Sequence, residues 1–231
     1  MASKPKQPDP AGLFAFDREL GADLVIGADE AGRGCLAGPI VAAAVVFDRA
    51  CLESLGRGCL EGLNDSKKMT AKARERVFPQ VMACAVRVSV AMRSARRIDH
   101  AGLHVSNIEC LTEALRGATG GAGAAGIGGI AGPATVRLVD GFNLPDCELE
   151  HRRLVKGDST SAAVAAASVI AKVTRDRYMV RAAGKYPEYG FEGHKGYGSE
   201  AHRAAIVVHG PCPLHRLSFN SDAYGEFGLA A

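Results

Sequence analysis

The stretch that most constrains this chain runs over residues 159–183. Its first half, AAVAAASVIA at 162–171, is apolar almost all the way round. A helix with no polar face must be covered on every side. Other layers therefore have to enclose it, which excludes an open or elongated fold. The covering layers are legible as short β-type runs. Strands are expected over 22–30, 38–48, 85–92 and 135–140, with a short fifth at 152–156. Thr70 is a plausible cap for a helix over 71–84, which Pro79 should kink or shorten. Helical character returns at 102–116 and 199–208. Strands interleaved with helices make an α/β domain with a small helical C-terminal part.

With 231 residues and 47% hydrophobic content, the chain can bury one substantial core. Residues 1–20 carry several prolines and read as a loose leader. Residues 21–190 read as the main domain and 191–231 as a C-terminal segment. Residues 117–134 contain eight glycines and six alanines. They read as a flexible insertion and not as a phosphate loop, because no GK[ST] follows.

Seven cysteines, an odd number without a close pair, argue against a disulfide framework or a zinc module. Free thiols suit a reducing compartment, and a cytoplasmic location is expected. No apolar run approaches the roughly 20 residues of a membrane helix, so no membrane partner is expected. The net charge of +3 permits a polyanionic partner without demanding one.

Four acids stand where structure is expected to stop. Asp29 and Glu30 close the first strand, Asp140 closes the fourth, and Asp158 precedes the apolar helix. Carboxylates at strand ends gather at one edge of an open α/β sheet. Gathered carboxylates repel and call for a cation, and an oxygen-only donor set selects Mg²⁺ or Mn²⁺. Two such ions serve phosphodiester hydrolysis. Neighbouring strand residues point to opposite faces, so Asp29 and Glu30 can share a site only if the chain bends at Glu30. A single Asp at a strand end is more often a turn or cap residue, and Asp158 also suits a helix cap.

The residues around these acids resemble the ribonuclease HII family. The resemblance rests on seven stretches in the family's order. They are 27–34 (GADEAGRG) with Gly38-Pro39, 64–68 (NDSKK), 139–141 (VDG), 156–158 (KGD), 165–176 (AAASVIAKVTRD), 194–198 (HKGYG) and 215–219 (HRLSF). It implies a ribonuclease H-like mixed sheet flanked by helices, with a small C-terminal helical segment. It implies that Asp29, Glu30, Asp140 and Asp158 hold Mg²⁺ or Mn²⁺, two ions during catalysis. By the same resemblance, Gly32, Arg33 and Gly34 read a ribonucleotide 2′-hydroxyl, largely through backbone, and Tyr197 lies against the next, deoxy sugar. The 2′-hydroxyl is what separates RNA from DNA.

The implied activity is endonucleolytic. It cuts the RNA strand of RNA–DNA hybrids and cuts 5′ of single ribonucleotides in DNA duplexes, leaving 3′-hydroxyl and 5′-phosphate ends. Lys67 and Lys68 would meet backbone phosphate, or form an ordinary solvated face. Lys172, on an otherwise apolar helix, is expected to pair with a carboxylate behind the site, either Asp176 at i+4 or one of the metal-site acids. Tyr197 alone would suit surface packing. His194, His215 and Arg216 suit phosphate binding, and a structural role suits the two histidines as well. Residues 222–231 show no clamp-binding peptide, and a monomer is expected. The competing reading is a non-catalytic nucleic-acid-binding module, or a DNA nuclease of the same superfamily. The intact acid set argues against the first and the Gly-Arg-Gly turn against the second.

Overall fold

The computed structural model describes residues 10–54, 60–120, 134–219 and 222–225. Five strands form one mixed sheet: β1 (Leu24–Ala31), β2 (Ile40–Asp48), β3 (Arg87–Arg93), β4 (Thr135–Asp140) and β5 (Arg152–Leu154). Their order is β3-β2-β1-β4-β5. The β1–β2 and β2–β3 pairs are antiparallel, while β1–β4 and β4–β5 are parallel. Three adjacent parallel strands thus point the same way, and their C-terminal ends share one edge.

The all-apolar stretch becomes helix α6 (Ala162–Ala183), begun by Ser161, whose side chain accepts from the Val164 amide. Every residue from 162 to 171 is buried. It packs on Val25, Ala43, Val45 and Phe47 from one face of β1 and β2. Helices α1 (Pro10–Glu19), α2 (Arg49–Ser54) and α3 (Ala71–Cys84) complete that layer. Gly27 sets how close α6 comes. A Cβ there would lie 2.2 Å from Ala163 C and Val164 N, backbone atoms that cannot turn aside. The opposite face of the sheet, with Ile26, Ala28, Ala42 and Ala44, is covered by α5 (Leu103–Thr119), which follows the short α4 (Ala95–Ala101).

The C-terminal segment adds α7 (Phe191–His194), α8 (Glu200–His209) and α9 (Asp222–Gly225) around a separate small core of Met179, Tyr189, Phe191, Ile206 and Tyr224. Among the described residues no helix is long and apolar enough to cross a membrane. Cys35, Cys110, Cys147 and Cys212 are free thiols.

Several expectations need correction. Residues 10–19 of the stretch read as a loose leader are helical. Phe14 is buried, and the buried Asp17 carboxylate accepts the Ala163 amide at 2.9 Å, fastening α1 to the start of α6. Thr70 caps α3 and the helix has the expected limits, Ala71–Cys84, so Pro79 does not shorten it. The helix expected at 102–116 is preceded by a second one, because Gly102 at φ +85 ends α4 and starts α5. Residues 117–119 of the Gly/Ala stretch form the last turn of α5, with Ala118 buried. The part of that stretch at 121–133 lies outside the described residues.

Candidate metal centre and nucleic-acid interface

The parallel strands deliver the acids. The β1–β4 ladder stops at Ala28↔Val139, so Asp29 and Asp140 follow directly on neighbouring strands. After β5 the chain turns through Lys156, left-handed at φ +57, into a single 3-10 turn, Gly157–Ser159. Asp140 Oδ1 accepts the Gly157 amide at 2.7 Å and so holds that turn. Asp158 is thereby brought in. One carboxylate oxygen from each of Asp29, Asp140 and Asp158 lies within 4.8 Å of the other two.

Glu30 is placed differently from what a bent strand would give. β1 stays paired with β2 through Glu30↔Ala42 and Ala31↔Val41. The turn comes afterwards, at Gly32 with φ +96. Strand alternation therefore sends Asp29 toward α6 and Glu30 toward α5. Glu30 stands beside the three-acid group, and its Oε2 is buried without a hydrogen-bond partner. Arg33 Nη1 lies 3.9 Å from Glu30 Oε1.

All four carboxyls are raised from their ordinary values. Burial is the main cause for Asp29, followed by the charges of Glu30 and Asp140. Glu30 is pushed up to about 7 by burial, with Arg33 opposing and Asp140 adding. Asp140 and Asp158 are raised first by burial, with Asp158 adding to the first and Asp65 to the second. Lys67 partly offsets this from 3.4 Å away at Asp158 Oδ2. Buried carboxyls that repel one another, oxygen-only donors and an orphaned Glu30 oxygen together fit a hard divalent cation.

The two lysines belong to the same edge. Lys67 faces Asp158, and Lys68 Nζ donates to Ser159 Oγ at 2.8 Å. Neither is simply a solvated surface cation. The residue that sequence reasoning passed over is Asp65, between them and Asn64. It is buried, accepts the Lys67 amide at 2.9 Å and contacts Asp158. Its place in the 64–68 motif was the available signal.

The Gly-rich turn is held by two buried arginines: the sequence assigns no role to Arg175 and suggests a phosphate contact for Arg216. Arg175 is fully buried and donates to Pro39 O, Ala37 O and Lys195 O, each at 2.9 Å. A Cβ on Gly32 would lie 2.1 Å from Arg175 Nε. Arg216, also fully buried, donates to Gly38 O at 2.9 Å and Arg33 O at 3.0 Å. A buried cation without a salt-bridge partner still needs its donors satisfied; backbone carbonyls do this for Arg175 and for Nε and Nη1 of Arg216, while Arg216 Nη2 is buried without a partner. Arg216 is therefore structural, and so is His215, buried at Cys212. His194 bonds Tyr189 O and the Gly196 amide. None of the three offers a free phosphate-binding face.

Gly34 has open space where a Cβ would go. Arg33 is exposed and lies over the Phe142 ring at 4.7 Å. Tyr197 is 43% exposed. The Lys172 ammonium stands 5.2 Å from its ring centre and also pairs with Asp176 at 2.8 Å. The expected i,i+4 pair is thus formed, and Arg74 adds a second cation to Asp176 at 3.7 Å.

A five-stranded mixed sheet with helices on both faces and acids at its strand ends is the ribonuclease H-like architecture. The family model described as ribonuclease HII matches residues 26–222. The chain is 45% identical to a ribonuclease HII from Rhizobium etli, over 91% of this chain and 84% of that one. It is 48% identical to one from Syntrophotalea carbinolica, over 84% of each. Among solved structures it resembles the ribonuclease H2 of Pyrococcus horikoshii, with a TM-score of 0.64 and 26% identity, covering 88% of this chain and 96% of that one. The chain belongs to the ribonuclease HII family, whose members are ribonuclease H endonucleases acting on RNA–DNA.

Proposed function

We propose that this chain hydrolyses the RNA strand of RNA–DNA hybrids and also cuts on the 5′ side of single ribonucleotides embedded in DNA duplexes. The products carry 3′-hydroxyl and 5′-phosphate ends, and the second activity serves removal of ribonucleotides from DNA. The observation that carries the reading is the convergence of Asp29, Asp140 and Asp158 beside a Gly-rich turn anchored by two buried arginines.

Asp29, Glu30, Asp140 and Asp158 would hold Mg²⁺ or Mn²⁺, two ions during turnover. When bound, such ions ease deprotonation of an attacking water and stabilise negative charge at the phosphodiester. The remaining work falls to the chain. The carboxylates are fixed on strand ends and on a turn that Asp140 itself holds, so their spacing is set before substrate arrives. The Gly32-Arg33-Gly34 backbone approaches the 2′-hydroxyl, with room left by the absent side chain of Gly34. Lys67 and Lys68 meet phosphate at the same edge. Tyr197 lies against the deoxy sugar that follows, with Lys172 and Asp176 behind it. In this reading residues 21–190 are the catalytic domain and the C-terminal segment completes the substrate surface.

Asp140→Asn tests the assignment. The amide oxygen can still accept from Gly157, so the fold should survive. Cleavage of a labelled hybrid should fall by more than about 100-fold, since even residues supporting a metal ligand cost ~10–100-fold. Near-normal turnover in a folded Asp140→Asn variant would remove Asp140 from the site.

A further inference from the structure

The C-terminal segment contains a hydrogen-bond chain that the catalytic reading does not use. His202 and His215 are buried, and their Nε2 atoms are 3.1 Å apart. His202 Nδ1 is 2.8 Å from the Tyr197 carbonyl oxygen. His215 Nδ1 is 2.8 Å from the Cys212 amide nitrogen and 3.2 Å from the Cys212 carbonyl oxygen. For two neutral rings these partners leave one consistent set of protons. A carbonyl only accepts, so His202 carries its proton on Nδ1. Its Nε2 is then an acceptor, so His215 must donate from Nε2. His215 Nδ1 is left bare, and the Cys212 N–H points at it. Charging His202 would set N–H against N–H. Burial accordingly pushes both imidazoles down to about 4.

The end of this chain is also tied to the Gly-rich turn. Gly196, at φ +82, would place a Cβ 2.4 Å from Ala37 O, and its own carbonyl accepts the Ala37 amide at 3.2 Å. His194 stacks on His202 with ring centres 4.3 Å apart and accepts the Gly196 amide at 3.1 Å. Tyr197 therefore leaves a backbone fixed on both sides, while its ring stays exposed.

We propose that His202 and His215 are positioning residues, whose fixed tautomer chain holds the Tyr197 carbonyl and so aims the Tyr197 ring beside the Gly-rich turn. The proposal rests on the junction-reading role given to Tyr197 above. Neither histidine touches substrate. Their effect falls on selectivity for a single embedded ribonucleotide and spares the cutting of long hybrids, which offer a cut site at many positions.

Two conservative variants separate aim from mere packing. H202N places an amide N–H where Nδ1–H was and keeps the bond to Tyr197. H202Q reaches the Nε2 position, keeps His215 and abandons Tyr197. Each loses one bond of the buried pair, so their losses of thermal stability should be alike. H202Q should lower single-ribonucleotide cleavage relative to hybrid cleavage by about tenfold, a modest misplacement effect. H202N should stay within about twofold of the wild-type ratio. Imidazole nitrogen NMR of the wild-type protein should show the proton on Nδ1 of His202 and on Nε2 of His215.

Equal ratios in both variants, or the opposite tautomers, overturn the relay. Tyr197→Ala is run alongside. Lost selectivity there with a normal ratio in H202Q overturns the relay alone. Unchanged selectivity in Tyr197→Ala overturns the junction reading, and the selectivity assigned to the histidines with it.

Discussion

Gly27→Ala is the most informative single methyl group to add. The new Cβ would lie 2.2 Å from two backbone atoms of α6, where ordinary contact begins near 3.4 Å. The gap has to open by about 1.2 Å. No rotamer change can supply that, because the obstructing atoms are backbone. Either α6 moves off the sheet or β1 bends away from it. Overpacking of this kind costs ~1–3 kcal/mol or more in a dense core. The functional cost should be larger than the stability cost. Asp29 lies two residues along β1 from Gly27, and Asp158 lies just before α6, so the displacement separates two members of the three-acid group. A misplacement near 1 Å is worth about 100-fold in rate. The assay is paired: urea unfolding for stability, and hybrid cleavage at saturating divalent ion for rate. Gly34→Ala is the stability control. Nothing lies within 4 Å of its Cβ position, and unfolding within ~0.5 kcal/mol of wild type is expected. A Gly27→Ala protein with both wild-type stability and wild-type turnover would refute the close-approach reasoning.

Two further outcomes follow from buried charge. Burial raises Asp17 to about 6, so between pH 3.8 and 6 the folded state binds more protons than the unfolded chain, and stability falls as pH rises through that window. Asp17→Asn keeps an acceptor for the Ala163 amide and removes the cost. It should stabilise by at most about 3 kcal/mol above pH 6 and by nothing well below pH 3.8; a gain that shrinks with rising pH in unfolding titrations would contradict this. Arg175→Lys replaces a planar fork that serves three carbonyls. Unfolding should be easier by about 2–3 kcal/mol, with hybrid cleavage impaired as the Gly-rich turn loosens, and an unchanged denaturation midpoint would show that the turn does not depend on that fork.

The parts of the fold legible in the sequence are those with strong local signals. The strand at 135–140 has the observed limits, Thr70 caps α3, and the apolar helix is the buried one. The acids were legible because strand ends and the family motifs agree on them. What escaped was set by distant partners. α1 lacks a long apolar face of its own, and its anchor, Asp17 to Ala163, spans 146 positions. Arg175 and Arg216 look like surface cations until the carbonyls of the 33–39 turn close around them. The bend at Glu30 expected for a shared site is absent: the β2 ladder keeps the strand paired past it, and Glu30 reaches the edge from the opposite face, still close enough to interact with Asp29 and Asp140.

The central claim is tested most directly by one cleavage experiment. A labelled DNA duplex carrying a single ribonucleotide is incubated with the protein and Mg²⁺, Mn²⁺ or chelator, and the product ends are mapped. A cut on the 5′ side of the ribonucleotide is expected with either ion, with a 5′-phosphate on the downstream fragment and no cut with chelator. Cleavage that persists in chelator, or a duplex left whole with both ions while long hybrids are cut, would contradict the claim.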